Sequence, residues 1–411
     1  MGQGETFEGI RDMAAAQGSV EQLLHAKDAV VERATPYLAP YLTNMLDPAS
    51  LHTHYIALVN SIHFKFCLVQ FFLVVILIQC SRDDENVYIK LIFRKVYSFI
   101  DSIFFMLVSK DNKGIGPKKN PDPDRIIDEI TISKQVIFIR HGESDWNHVF
   151  NKGINISFIG RLVSAMITES ILFLSPTMDS KFIDSPLNKE GIDQAVELRQ
   201  FITSTAHPGA SQRCLKYIDI LRGNDGGSSI IVSSILRRAI ATTLLSLWPR
   251  VNQKKHKIYL LSNLQEISRN VDTQSVASPK EVPDLPFNRL MNKLDLGKDE
   301  EFSIDDIFNA EFNFGNKTLS NNGMKRIKAF NEWMFLRKEE TIIVGGHSLW
   351  FKSYFQNYLP HKSDHDAKKK KITNSGVVAF TVHRAEDDNG VPLYRIDPDS
   401  IECVYGGFTS K

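Results

Sequence analysis

Val136-Ile137-Phe138-Ile139-Arg140-His141-Gly142-Glu143-Ser144 reads as a strand that stops on an arginine and a histidine. A short, continuous apolar run bounded by a turn signal is the pattern of a strand buried in a parallel sheet. In an open α/β sheet, ligands bind outside the carboxyl ends of the strands, which is where Arg140 and His141 fall. An imidazole there can attack phosphorus, and the adjacent guanidinium offers a planar fork of donors to phosphoryl oxygens. The competing reading is a surface Arg-His pair that merely ends a strand.

Two further strand ends weigh against that bland reading. Thr341-Ile342-Ile343-Val344 is a second apolar run, closed by Gly345-Gly346-His347-Ser348 and followed by a helical stretch over 349–359. Its glycines allow close backbone approach at a strand-to-helix turn. Ile230-Ile231-Val232-Ser233-Ser234 is a third, running into Ile235-Leu236-Arg237-Arg238-Ala239. Three strand ends thus present His, Arg and His, an inventory suited to gripping a phosphoryl group from several sides.

Over residues 131–385 this set of motifs resembles the histidine phosphatase superfamily, the phosphoglycerate mutase-like proteins. Arg140-His141-Gly142-Glu143 matches the opening motif, which implies that His141 is the nucleophile that becomes phosphohistidine. Ser234-Ile235-Leu236-Arg237-Arg238-Ala239 matches a Ser-Pro-Leu-x-Arg-Ala pattern with Ile in place of Pro, and selects Arg238 for phosphate binding. Leu264-Gln265-Glu266 matches the segment carrying the general acid, Glu266, and Gly346-His347-Ser348 supplies the second active-site histidine. Pro186-Leu187-Asn188-Lys189-Glu190-Gly191 matches the start of a family helix, with Asn188 as its cap. The resemblance implies an α/β fold: a three-layer α/β/α sandwich with a mostly parallel central sheet and one antiparallel edge strand at 377–382. Alternation of strands with helical segments implies the same layering.

The chemistry of such a set follows from its residue types. Phosphoryl transfer needs preorganised cations for charge spread over three equatorial oxygens. Arg140 and Arg238 supply fixed charge, and a protonated His347 would add a donor. A neutral His141 attacks in line, while Glu266 gives the leaving alkoxide its proton and later serves as base. Glu143, Asn147 and Arg269 are candidate substrate-binding residues, each equally readable as a cap or loop residue. No metal or other cofactor enters the scheme, and the His361 and His365 loop reads as solvated rather than as a metal site. The expected function is a phosphatase acting on a phosphorylated small molecule or phosphoprotein. The alternatives are a phosphoglycerate-type phosphomutase and a non-catalytic module that binds a phospho-ligand.

The gap between His141 and Pro186 is longer than in the glycolytic mutases of that family, which favours the phosphatase reading. An apolar, helix-like run over 158–174 lies within it, either a lid or a helix covering the sheet. Insertions are expected at 151–184 and 270–317, within a catalytic domain spanning 131–400.

The chain has 411 residues and a net charge of +1, which argues against a nucleic-acid partner. Cys67, Cys80, Cys214 and Cys403 lack zinc-like spacing and suggest a reducing, cytoplasmic compartment. Residues 1–50 read as an N-terminal helical segment, and Met1-Gly2-Gln3-Gly4-Glu5-Thr6 satisfies the minimal myristoylation pattern.

Residues 51–110 are anomalous, because 51–109 contain no Gly, no Pro and a single Ala, Ala57. They read as a translated intron, or as a membrane-associated segment spanning near 64–80 or forming an interfacial hairpin with 87–108, or as a buried helical pair. The uninterrupted apolar stretch is only Phe71-Phe72-Leu73-Val74-Val75-Ile76-Leu77-Ile78, short for a membrane span. Residues 111–130, rich in Pro, Gly and Lys at their start, read as a linker.

Overall fold

The run at 136–139 is the centre of a nine-residue strand, Ile132–Arg140 (β1). In this computed structural model the described residues are 87–116, 121–153, 156–286, 289–290, 292–294, 303–387 and 389–410. The segment 1–50, its acylation pattern and the apolar stretch up to residue 86 lie outside them. The chain divides into two units, 1–104 and 105–411. In the first, the described residues belong to a helix, Val87–Val108 (α1). Among the described residues, no helix is long and apolar enough to cross a membrane.

The second unit continues with helices Asp145–Phe150 (α2), Ile156–Phe173 (α3), Lys189–Thr203 (α4) and Gln212–Arg222 (α5). Strand Ser229–Ser234 (β2) then leads into Arg237–Ser246 (α6) and Trp248–Lys254 (α7), followed by Ile258–Leu261 (β3). Next come the short helix Ile304–Ile307 (α8), Phe308–Asn309 (β4), Gly323–Phe335 (α9), Thr341–Gly346 (β5) and Ser348–Tyr358 (α10). The chain ends through Asp366–Lys369 (α11), Lys371–Ile372 (β6), Val377–Glu386 (β7), Pro392–Ile396 (β8), Glu402–Tyr405 (β9) and Phe408–Thr409 (β10).

The fold is mixed α/β around a mostly parallel sheet in the order β4-β3-β2-β5-β1-β7-β8, with β9 also on β7. Pairings among β1 to β5 are parallel. Because β5 lies between β1 and β2, the three strand ends picked out by sequence stand side by side. Side chains alternate across the strands. Ile137, Ile139, Ile231 and Ile343 enter an apolar cluster with α4 to α7, while Phe138, Val232 and Val344 enter another with α9 and α10.

Several expectations are corrected. The strand expected at 377–382 is antiparallel to β1, but it is interior, with β8 and β9 paired to it. The chain turns back because the Asp387 carboxylate accepts from Asn389 and Val391 N–H, both at 2.9 Å, and Gly390 takes φ +73°. The run at 158–174 is indeed helical, yet Ile159, Val163, Met166, Ile167 and Ile171 of α3 are exposed and join neither apolar cluster. That helix therefore does not cover the sheet. The 270–317 stretch, expected as an insertion, contributes α8 and the edge strand β4.

The linker expectation also yields in part. Asp111 is fully buried. Pro123–Glu129 forms a 3-10 helix capped by Asp122, and Asp124 pairs with Arg395 of β8 at 3.0 Å.

Candidate active site

His141 is the first residue past β1 and is 4 % exposed. Its backbone N–H donates to the Gly346 carbonyl at 3.0 Å, and the next N–H, of Gly142, donates to Thr242 Oγ1 at 3.0 Å. The ring is held from its other side, with Nδ1 2.6 Å from the Gly142 carbonyl oxygen. A carbonyl can only accept, so Nδ1 carries the proton and Nε2 keeps a free lone pair. Burial, then the charges of Arg238 and Arg140, hold its pKa well below the usual imidazole value, so the ring is neutral at pH 7.

His347 caps α10 and is fully buried, its ring centroid 5.1 Å from that of His141. Its Nε2 lies 2.8 Å from Ser234 Oγ, a hydroxyl that already accepts from Leu236 N–H at 3.3 Å. A serine hydroxyl can still donate or accept here, so this contact fits a ring proton on Nε2 or on Nδ1. The Nδ1 atom is buried without a protein partner among the described residues. Burial and the neighbouring charge of Arg238 push this pKa well down too. The ring is therefore neutral at pH 7 in these surroundings, whereas the sequence reading has a protonated His347 add a donor.

Arg238 is the second residue of α6 and is 2 % exposed, donating from Nη1 to the Asp272 carbonyl at 2.7 Å. Its Nη2 sits 3.3 Å from the Asp272 carboxylate. Arg140 ends β1 and donates from Nη1 to the Ile372 carbonyl, while its buried Nε has no partner among the described residues. Burial brings its pKa to about 10, which leaves it charged at neutral pH.

Glu266 is 5 % exposed, and its Oε1 accepts from Ile267 N–H at 3.0 Å and Trp350 N–H at 2.9 Å. Burial raises its pKa, while Arg238 and these two N–H groups hold the rise back. Donor atoms of His141, Glu266 and His347 all lie within 4.8 Å of one another. That spacing could hold an ion, although the charges of Arg140 and Arg238 oppose a dication there. The histidines of the loop read as solvated, His361 and His365, have other partners: His361 faces Asp122 at 3.7 Å, and His365 accepts from Ala367 N–H.

The tight backbone explains two glycines. A Cβ on Gly345 would stand 1.9 Å from Thr243 Oγ1, so β5 can pack on α6 only without one. A Cβ on Gly191 would stand 2.0 Å from the Glu143 carbonyl oxygen, which lets the start of α4 press against the 142–143 turn.

The three softer candidates, Glu143, Asn147 and Arg269, sit in different surroundings. Glu143 is buried but accepts from Asn188 Nδ2 at 2.8 Å and pairs with Lys152 at 3.2 Å. Asn147 binds Asn151 on α2, and Arg269 is exposed. Sequence reasoning passed over Asp272, Ser234 and Thr242 as partners of the site. Ser234 opens a quoted motif but is given no role there, and no motif spacing marks Asp272 or Thr242. Strand register brings in Ser234, the packing of α6 against the end of β1 brings in Thr242, and the fold of the 266–273 loop brings in Asp272.

No family model matches this chain, and no curated protein matches it. Solved structures do. A protein described as mycobacterial hydrolase 1 is 11 % identical with a TM-score of 0.30, covering 65 % of this chain and 97 % of its own. A mycobacterial glucosyl-3-phosphoglycerate phosphatase is 11 % identical with a TM-score of 0.29, covering 64 % and 97 %. Mycobacterial hydrolase 2 is 12 % identical with a TM-score of 0.29, covering 68 % and 94 %.

Proposed function

We propose that the chain is a phosphatase that hydrolyses a phosphomonoester through a phosphohistidine at His141. The observation that carries this reading is the hydrogen bond from His141 Nδ1 to the Gly142 carbonyl, which leaves Nε2 as a neutral nucleophile among fixed cations. Its lone pair attacks phosphorus in line, and the P–O ester bond breaks. Glu266, with its raised pKa, hands its proton to the departing alkoxide. Arg140, Arg238 and, in its Nδ1–H tautomer, His347 stabilise the equatorial oxygens. Water then attacks the phosphohistidine, the Glu266 carboxylate takes its proton, and inorganic phosphate leaves with the P–N bond broken.

The three-layer α/β/α arrangement belongs to the same proposal, supported by the two apolar clusters that share the strands of one sheet. The substrate would be a phosphorylated small molecule or a phosphoprotein. The test is phosphate release by the full chain with chelator present, across 4-nitrophenyl phosphate, sugar phosphates, 3-phosphoglycerate and phosphopeptides. Release abolished by His141→Ala supports the proposal. No release, with 3-phosphoglycerate isomerised once a bisphosphorylated primer is added, would replace it with a mutase.

A further inference from the structure

Beneath Glu266 lies a fully buried ion cluster that the scheme above leaves unused. Lys317 is 3 % exposed overall, with its side chain wholly enclosed, and Asp111 is fully buried. The Lys317 Nζ donates to Asp111 Oδ2 at 3.2 Å, to the Glu266 carbonyl at 2.9 Å, to the Ser268 carbonyl at 2.5 Å and to Thr273 Oγ1 at 3.0 Å. It also stands 5.1 Å from the Phe105 ring centroid. Asp111 in turn accepts from Ser268 N–H at 3.1 Å and from both Nη atoms of Arg326, at 2.7 and 3.1 Å.

Every one of these hydrogen bonds ends on the 266–273 loop or on Asp111 itself, and Arg326 Nη2 also reaches the Gln265 and Glu266 carbonyls, both at 3.4 Å. That loop has Glu266 at one end and, near the other, Asp272, which binds Arg238. One ammonium therefore gathers three oxygens of a loop that lacks regular strand or helix pairing over most of its length. Burying a lysine so completely is costly, and a loop could be closed by apolar packing with less penalty. The bonds it makes instead fix the backbone at Glu266.

We infer that Lys317, anchored by Asp111, is a positioning residue for the proton donor, setting where the Glu266 carboxyl stands relative to the leaving oxygen. The inference rests on the acid role proposed for Glu266. It makes Asp111 part of the site's support although it lies well ahead of β1 in sequence. Its signature is selective, because an alkoxide needs a proton to leave and a nitrophenolate does not.

The full chain, Lys317→Met, Asp111→Asn and Glu266→Gln are compared on glycerol 2-phosphate and 4-nitrophenyl phosphate, with folding followed by circular dichroism. Lys317→Met is expected to lose ~10-fold or more in kcat on the alkyl ester and under ~3-fold on the aryl ester, as a weaker copy of Glu266→Gln. Equal losses on both esters in folded protein, or no loss on either, would overturn the inference. Should Lys317→Met fail to fold, the same ratio in Asp111→Asn decides. Absence of His141-dependent release in the unmutated chain would instead strike at the phosphatase reading, and the inference would fall with it.

Discussion

The Arg238 guanidinium is bound twice by Asp272, through the carbonyl at 2.7 Å and the carboxylate at 3.3 Å. Both residues are nearly inaccessible, at 2 % and 6 % exposure. A buried guanidinium swings freely only at the cost of its partners, so Asp272 aims the fork that would meet the phosphoryl group. Asp272→Asn keeps the carbonyl bond and removes the charged one. Such a bond contributes about 1.5–3 kcal/mol, so KM and the inhibition constant of inorganic phosphate should rise about ten-fold or more. Unchanged phosphate inhibition would show that Asp272 does not orient Arg238 for binding.

The two shifted groups at the reaction centre set the pH dependence. His141 must be neutral to attack, and its pKa is well below 6.5, so activity survives mildly acid conditions and fails only where the ring takes a proton. Glu266 must be protonated, and its pKa is raised from 4.5, so activity is lost as pH rises through that raised value. The profile of kcat/KM on an alkyl ester is then a bell displaced to the acid side, and Glu266→Gln should flatten its alkaline limb. An alkaline limb that persists unchanged in Glu266→Gln would remove Glu266 from the acid role.

Much of this centre was legible in the chain because strand ends announce themselves. Apolar runs before Arg140, Arg238 and His347 fixed the sheet positions of those residues, and parallel pairing with β5 between β1 and β2 brought them together. What stayed hidden depends on closure by distant segments. Asp272 sits in a polar loop whose composition looks like any surface loop. Asp111 follows a lysine and precedes Asn112-Lys113-Gly114, a context that reads as solvated linker, yet Arg326 and Lys317 take it to full burial. The strands β3 and β4 escaped notice because four- and two-residue strands carry too little periodicity to be read.

The close approach of β5 to α6 gives a packing prediction. Gly345→Ala places a methyl group 1.9 Å from Thr243 Oγ1, 3.2 Å from Thr243 Cβ and 3.3 Å from Ser233 Oγ. Thr243 cannot yield easily, since its hydroxyl donates to the Ala239 carbonyl at 2.8 Å inside α6. Overpacking of this kind costs about 1–3 kcal/mol. Thr243→Ala removes the nearest atom, so the double variant should recover part of the lost stability. Thermal melts of the two single variants and the double would read this as a favourable coupling; simple additivity would mean the clash is relieved elsewhere.

The buried cluster under Glu266 makes a prediction about stability rather than rate. Burial pushes the Lys317 pKa down to about 8 from 10.5; Asp111 resists that fall and Arg326 adds to it. Glu266 faces the same ammonium, while Asp272 and His347 also feel its charge. Between about pH 8 and 10.5 the unfolded chain binds a proton that the folded chain has released, so this group makes unfolding free energy rise with pH across that window. Burial alone would raise the pKa of Asp111, but Lys317 and Arg326 hold it below 3.8, so its contribution is present above 3.8 and lost only as pH falls through the lower, folded value. Asp111 therefore adds no slope in the alkaline window, and Arg326 keeps it paired there after Lys317 has lost its charge. Urea unfolding of the unmutated chain and Lys317→Met at pH 7, 8, 9 and 10 isolates the lysine, because other titrating groups largely cancel in the difference. That difference should grow in favour of the unmutated chain from pH 8 upward. A constant difference would mean that Lys317 keeps its proton throughout and that the ion cluster is tighter than its burial implies.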